Sequence, residues 1–316
     1  MPLTCSVTCR NNRASCYRRA VVVAAVSVTG CGPQQGLVGR QNAPDAGAIF
    51  ESEFETSDGP WSIEATLPGA SATFGNTDMS ARDGFMAKLV FPGNAALSAA
   101  DDAGPDFVTQ LQTTERFGFG TLRSRVKFGG CSGTEEVVQA VLGYFSDGLD
   151  HNQNGITDDI EIDLQIACSS PEFAYLSVFT DYQADPAGDR FRKLSHVVDF
   201  STGTEYDTPA DNSDTLVKSG TNPSLLRPNL LNSGNYYEVG YEWHTNSVRF
   251  FLVDGAESLT LWTLSDPTHV PQLPVYLTYN LWHPSTHWFP LYGDADYPAN
   301  DVVMDVDWVR FEPSKE

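Results

Sequence analysis

The sequence predicts an all-β fold, an antiparallel β-sandwich of about 12 or more strands, on three observations. Strand-length runs alternating apolar and polar residues recur along the chain, they are rich in β-branched and aromatic residues, and Gly, Pro, Asn and Asp separate them. No segment sustains an apolar stripe at helical period. The 316 residues could hold two average domains, but sandwiches of this size commonly form one unit. One domain over residues 48–316 is therefore expected.

The first thirty residues stand apart. They contain Arg10, Arg13, Arg18 and Arg19 and no acid, and Arg18 and Arg19 precede the apolar run "AVVVAAVSVTG". Its 11 residues fall far short of the ~20 needed to span a bilayer, so residues 1–30 read as a signal peptide. The run ends in "VTGC", which resembles the bacterial lipoprotein signal. Cys31 would then be the lipidated N-terminus, residues 31–47 a flexible tether, and the location extracytoplasmic. Ordinary secretion with a chance cysteine is the alternative.

The net charge is -22, from 41 acidic and 19 basic residues. An excess of that sign excludes nucleic acid as a partner and excludes an anionic lipid surface bound through a basic face. The membrane is then reached only through the lipid anchor, and neutral partners, carbohydrate among them, remain.

Strands are expected in "RFGFGTLRSRVKF", "EEVVQAVLGYF", "DIEIDLQIA", "AYLSVFTDY", "YYEVGYEW", "SVRFFLVDG", "VYLTYNLW" and "DVVMDVDWVRFE". Between the fourth and fifth, residues 201–235 are rich in Ser, Thr, Asn and Pro and read as a long surface loop. The second and third form a hairpin around residues 146–158, which places Cys131 and Cys168 together at its far end, as a disulfide. Trp243 and Trp308, inside apolar alternation, are assigned to the core.

The hairpin's turn and its second strand both claim Glu161. Read from Asp150, the stretch matches a calcium loop, with Asp150, Asn152 and Asn154 at alternate positions, Gly155 for the sharp turn and Glu161 twelfth. Both flanks alternate as strands, so the paired helices of an EF-hand are absent. A helix-free loop still offers Asp150, Asn152, Asn154 and Asp158 to a structural Ca2+, or it is an ion-free turn of a common composition. Read as a strand, the segment puts Asp159, Glu161, Asp163 and Gln165 on one face and Ile160, Ile162, Leu164 and Ile166 on the other.

Several segments, in order over residues 48–313, resemble the family 16 glycoside hydrolases, and within them the lichenases. They are "FGTLRSRVKF", "AVLGYF", "EIDLQ", "YYEVGYEWHTNSVRFFLVDG", "YNLW" and "MDVDWVRFE". The resemblance implies a concanavalin A-like jelly roll of two curved sheets with an open groove for a β-glucan-like polysaccharide. It implies an endo-acting, retaining hydrolase of O-glycosyl bonds that needs no cofactor. In that family E-x-D-x-E carries the chemistry, which makes Glu161 the nucleophile, Asp163 its helper and position 165 the acid/base. Here position 165 is Gln165, an amide without a carboxylic proton, Asp159 replaces a family tryptophan and Arg123 a family glutamate, while Arg125 matches its arginine. A trio of Asp159, Glu161 and Asp163 offers one replacement for the missing acid, and Asp163 acting as the acid another. A carbohydrate-binding protein that has lost catalysis on the same fold is the alternative function.

Sugar rings stack on aromatic planes while their hydroxyls seek polar groups. Arg125, Tyr144, Tyr279, Asn280, Trp282, His283, His287 and Trp288 are therefore expected at the groove. "PST" between His283 and His287 argues against a helix, and with it a metal-binding histidine pair.

Overall fold

The computed structural model describes residues 48–56, 59–94, 107–131, 137–153, 155–182, 192–211, 213, 215–283 and 297–315. The signal, the tether and Cys31 lie outside these, as do Asn154, His287 and Trp288. Two antiparallel sheets make up the sandwich. The first runs β15 (Glu257–Leu264), β14 (Ser247–Asp254), β13 (Tyr237–His244), β6 (Gly120–Lys127), β17 (Val302–Pro313), β4 (Phe85–Phe91) and β3 (Ser71–Thr77), with β1 (Phe50–Ser52) also paired to β17. The second runs β12 (Val217–Thr221), β11 (Thr204–Asp207), β10 (Arg192–Asp199), β9 (Phe173–Thr180), β8 (Asp159–Ala167), β7 (Val138–Ser146), β16 (Val275–His283), β5 (Phe107–Phe117) and β2 (Trp61–Ala65).

Alternation decides which face of each strand enters the core. On β8, Ile160, Ile162, Leu164 and Ile166 point inward, meeting Val141 and Phe145 of β7 and Leu277 and Leu281 of β16. Facing them from the first sheet are Leu122 and Val126 of β6, Val239, Tyr241 and Trp243 of β13, and Met304 and Val306 of β17. Each side chain of this size contributes about 1.5–3 kcal/mol when fully buried. Two polar contacts tie the core together: the Trp243 indole donates to the Pro271 carbonyl at 3.1 Å, and the hydroxyls of Ser124 and Tyr279 bond across the two sheets at 2.6 Å. Gly143 on β7 is a packing requirement, because a Cβ there would stand 2.6 Å from the Tyr241 hydroxyl and 2.7 Å from Val275.

The hairpin forms as expected, with Tyr144 opposite Glu161, Leu142 opposite Asp163, Ala140 opposite Gln165 and Val138 opposite Ala167. Cys131 and Cys168 are disulfide-bonded, with Cα atoms 4.9 Å apart across a sequence separation of 37. Closing a loop of that length removes freedom from the unfolded chain, so replacing both cysteines with serine is expected to cost about 2–4 kcal/mol. Urea unfolding of the variant beside wild type measures this; an unchanged midpoint would refute it.

Three expectations need correction. The stretch 201–235 is more than loop, since it holds β11, β12 and a 3-10 turn at Pro223–Leu225. Trp308 is buried, but on the outer face of its sheet, where the Arg82 guanidinium lies 5.0 Å over its ring. Tyr279 and His283 belong to the interior, both 0% exposed, with His283 against the rings of Phe91 and Tyr297. Period 2 separates them from Asn280 and Trp282, which face outward.

Candidate active site

The strand registers lay out the outer face of the nine-stranded sheet as rows that cross the strands. One row sets Tyr144 (β7), Glu161 (β8) and Phe179 (β9) side by side. The next holds Thr278 (β16), Leu142, Asp163 and Ser177, and the one after it Gln110 (β5), Asn280, Ala140, Gln165 and Tyr175. Beyond lies an apolar patch of Val138, Ala167, Tyr175 and Val197, with Trp282, Phe173 and Tyr206 packed against it. Glu161, Asp163, Gln165, Tyr144, Asn280 and Trp282 thus share one face. Glu161, Tyr144, Asn280 and Trp282 are partly exposed there, whereas Asp163 and Gln165 are 2% and 6% exposed.

Asp163 is the electrostatic centre of this face. Ser177 donates its hydroxyl to Asp163 Oδ2 at 2.7 Å. Burial, and after it repulsion from Glu161, pushes the Asp163 carboxyl well above the ordinary carboxylate range, against the opposing pulls of the Ser177 bond and the Lys193 charge. The face therefore favours a protonated Asp163 beside Glu161. That pairing makes Asp163 a hydrogen-bonding neighbour of Glu161 instead of a second charge.

Asp181 is a further acid of this face that strand alternation alone does not single out. It follows β9 with the parity of Ser177 and Phe179, opposite Asp159, whose backbone N–H donates to Asp181 Oδ1 at 2.6 Å. Burial, helped by repulsion from Asp159 and Asp158, raises its carboxyl from 3.8 to about 7, although the backbone bond pulls the other way. Since the folded state holds this proton more tightly than the unfolded chain, the stability it contributes is full below pH 3.8 and is lost as pH rises to about 7. Asp181→Asn is accordingly expected to raise Tm at about pH 8 and to leave it unchanged at about pH 4. Equal Tm shifts at both pH values would show that Asp181 carries no such proton. A cue existed in the sequence: "TDYQ" ends a strand whose partner begins "DDIEID".

Arg125 lies elsewhere, on the outer face of the eight-stranded sheet. There it pairs with the fully buried Asp307, donates to the Ser80 carbonyl at 3.0 Å and sits 4.6 Å from the Tyr236 ring. This corrects its assignment to the substrate face. A cavity of about 340 Å³ opens beside it, lined by Ser80, Asn235, Tyr236 and Asp254 among others, on the sheet that does not carry the acid row.

In the turn before β8, Gly155 takes φ 91° as the sharp bend requires. The carboxylates there serve the backbone: Asp150 Oδ2 accepts the Gly155 N–H at 2.7 Å and Asp158 Oδ2 the His151 N–H at 2.5 Å. Asn152 is partly exposed, and among the described residues no three His, Cys, Asp or Glu side chains group to hold an ion.

No family model matches the chain, and no curated protein matches it. Solved structures similar to it include a Bacillus licheniformis beta-glucanase, with TM-score 0.49 and 14% identity, covering 85% of this chain and 99% of that one. A prokaryotic beta-1,3-1,4-glucanase (lichenase) derived from a mouse hindgut metagenome gives TM-score 0.48 and 15% identity, covering 84% and 99%. LamAcat from Zobellia galactanivorans gives 0.49 and 15%, covering 85% and 98%.

Proposed function

We infer that this chain is a glycosidase that hydrolyses O-glycosidic bonds of a neutral, β-glucan-like polysaccharide by a retaining mechanism, and that its rate is limited by the amide at position 165. The observation that carries the reading is the Glu161–Asp163 pair on the outer face of the nine-stranded sheet, with Asp163 buried, bonded to Ser177 and favouring its protonated form. A retaining enzyme uses one carboxylate to attack the anomeric carbon and a second group, about 5–5.5 Å away, to protonate the leaving oxygen. Glu161, partly exposed, takes the first role. Asp163, too buried to reach solvent, fixes the proton beside it, and with no carboxyl at position 165 the leaving oxygen takes its proton from water, which is the slow step. Tyr144 and Trp282 give the sugar C–H faces aromatic planes, and Asn280 offers a polar group to its hydroxyls.

A glycan-binding protein without turnover is the second reading, and Gln165 favours it, because a carboxamide binds hydroxyls and protonates no leaving group. In both, export before Cys31 and lipidation of that cysteine bring the domain to an extracellular polysaccharide.

Reducing-sugar release from mixed-linkage β-glucan, laminarin, xyloglucan and agarose separates them. Glu161→Gln is expected to lower release on the order of 10³-fold or more, as loss of a nucleophile does. Binding without release by wild type would establish the second reading, and release that survives in Glu161→Gln would sink the first.

A further inference from the structure

The row that contains Gln165 has a property the proposed reaction does not use. Gln165 on β8 and Asn280 on β16 face the same way, and between them, on β7, stands Ala140, paired to both. Adjacent strands are about 4.8 Å apart, which sets the two carboxamide-bearing Cα atoms roughly 10 Å from each other with one methyl group between. Gln165 is 6% exposed, yet its Oε1 has no hydrogen-bond partner among the described residues, and neither has the buried Oδ1 of Asn280. Two buried acceptors left unsatisfied cost about 1–3 kcal/mol each, a cost not expected at two neighbouring positions of one row unless something else supplies the donors.

We propose that Gln165 and Asn280 form a paired-carboxamide subsite that takes two hydroxyl donors from one neutral sugar residue. This deepens the polysaccharide reading and rests on it. The chemistry of the row sets the class of ligand. Acceptor oxygens call for O–H donors, which neutral pyranoses present in adjacent pairs. Sulfated sugars and uronates are disfavoured by Glu161, two rows away, and by the chain's net charge of -22. On this account the residue at 165 selects the sugar as well as limiting the rate.

The test uses the full chain carrying Glu161→Gln, which prevents turnover, on an array of neutral, sulfated and uronate-bearing glycans, with and without Gln165→Met or Asn280→Ala. Binding to neutral glycans that falls roughly tenfold with either change is expected, one buried hydrogen bond to a hydroxyl being lost in each case. Gln165→Met, which replaces an unsatisfied acceptor by an apolar side chain of similar length, is expected to raise Tm or leave it unchanged. Neutral glycans bound equally by all variants would overturn the subsite and leave the polysaccharide reading standing, whereas no binding to any glycan would sink both. Preference for sulfated or uronate glycans would overturn the ligand class. A clear drop in Tm with Gln165→Met would assign the amide a structural role and also refute the proposal.

Discussion

Gln165→Glu is expected to increase glycan hydrolysis about 10²- to 10⁴-fold, the contribution general acid/base help usually makes. Glutamate differs from glutamine by one group and fits the same space. At a position 6% exposed, one row from Asp163, a new carboxyl would be pushed toward its protonated form by burial and by its acidic neighbours, which is the form a leaving oxygen needs. Initial rates on the most responsive glycan across pH 4–8 measure the gain, where an acid limb and an alkaline limb should bracket the optimum (pH range on the order of that spanned by catalytic carboxyls). If Gln165→Glu folds with an unchanged Tm and gains nothing, position 165 lies outside reach of the scissile bond, and the glycan-binding reading takes precedence.

Arg125→Ala should destabilise the fold by about 3–5 kcal/mol while leaving glycan binding and hydrolysis of the surviving folded protein unchanged. The reason is Asp307, 0% exposed, which accepts from the Arg125 guanidinium and from the Arg82 backbone N–H at 3.0 Å through each of its oxygens. Removing the arginine leaves a buried carboxylate short of its cation. Arg125→Ala with Asp307→Ala together should recover much of the loss, because no charge is then stranded. Loss of glycan affinity without loss of stability would instead return Arg125 to the substrate face and contradict its placement.

Legibility differed between residues for physical reasons. The faces of β8 followed from period 2 alone, since Ile160, Ile162, Leu164 and Ile166 leave Glu161, Asp163 and Gln165 no other side. The Cys131–Cys168 bond followed from the hairpin register. Arg125 was misplaced because alternation tells which residues of a strand share a face, and says nothing of which sheet the strand joins. The "YNLW" stretch misled at Tyr279 because the tyrosine hydroxyl, bonded to Ser124, makes an aromatic with a polar tip at home between the sheets. His283, inside the same strand, carried no mark that its ring would pack on Phe91 and Tyr297. Asp181 escaped notice because its significance comes from a cross-strand neighbour 22 residues away. Burial of Asp163 and Gln165, on which the proposed chemistry turns, is a property of the third dimension.

β8 is the fifth of nine strands, hydrogen-bonded on both sides by β7 and β9, with three more strands beyond each of them. A central strand cannot fray from an edge, so its amides exchange with solvent only when a large part of the sheet opens. Glu161, Asp163 and Gln165, the residues proposed to meet a glycan, are consequently held on a segment that yields little. Little conformational entropy is then left for them to lose on binding, and a change of ligand must come from new side chains on the same rigid lattice, as the amide at position 165 illustrates.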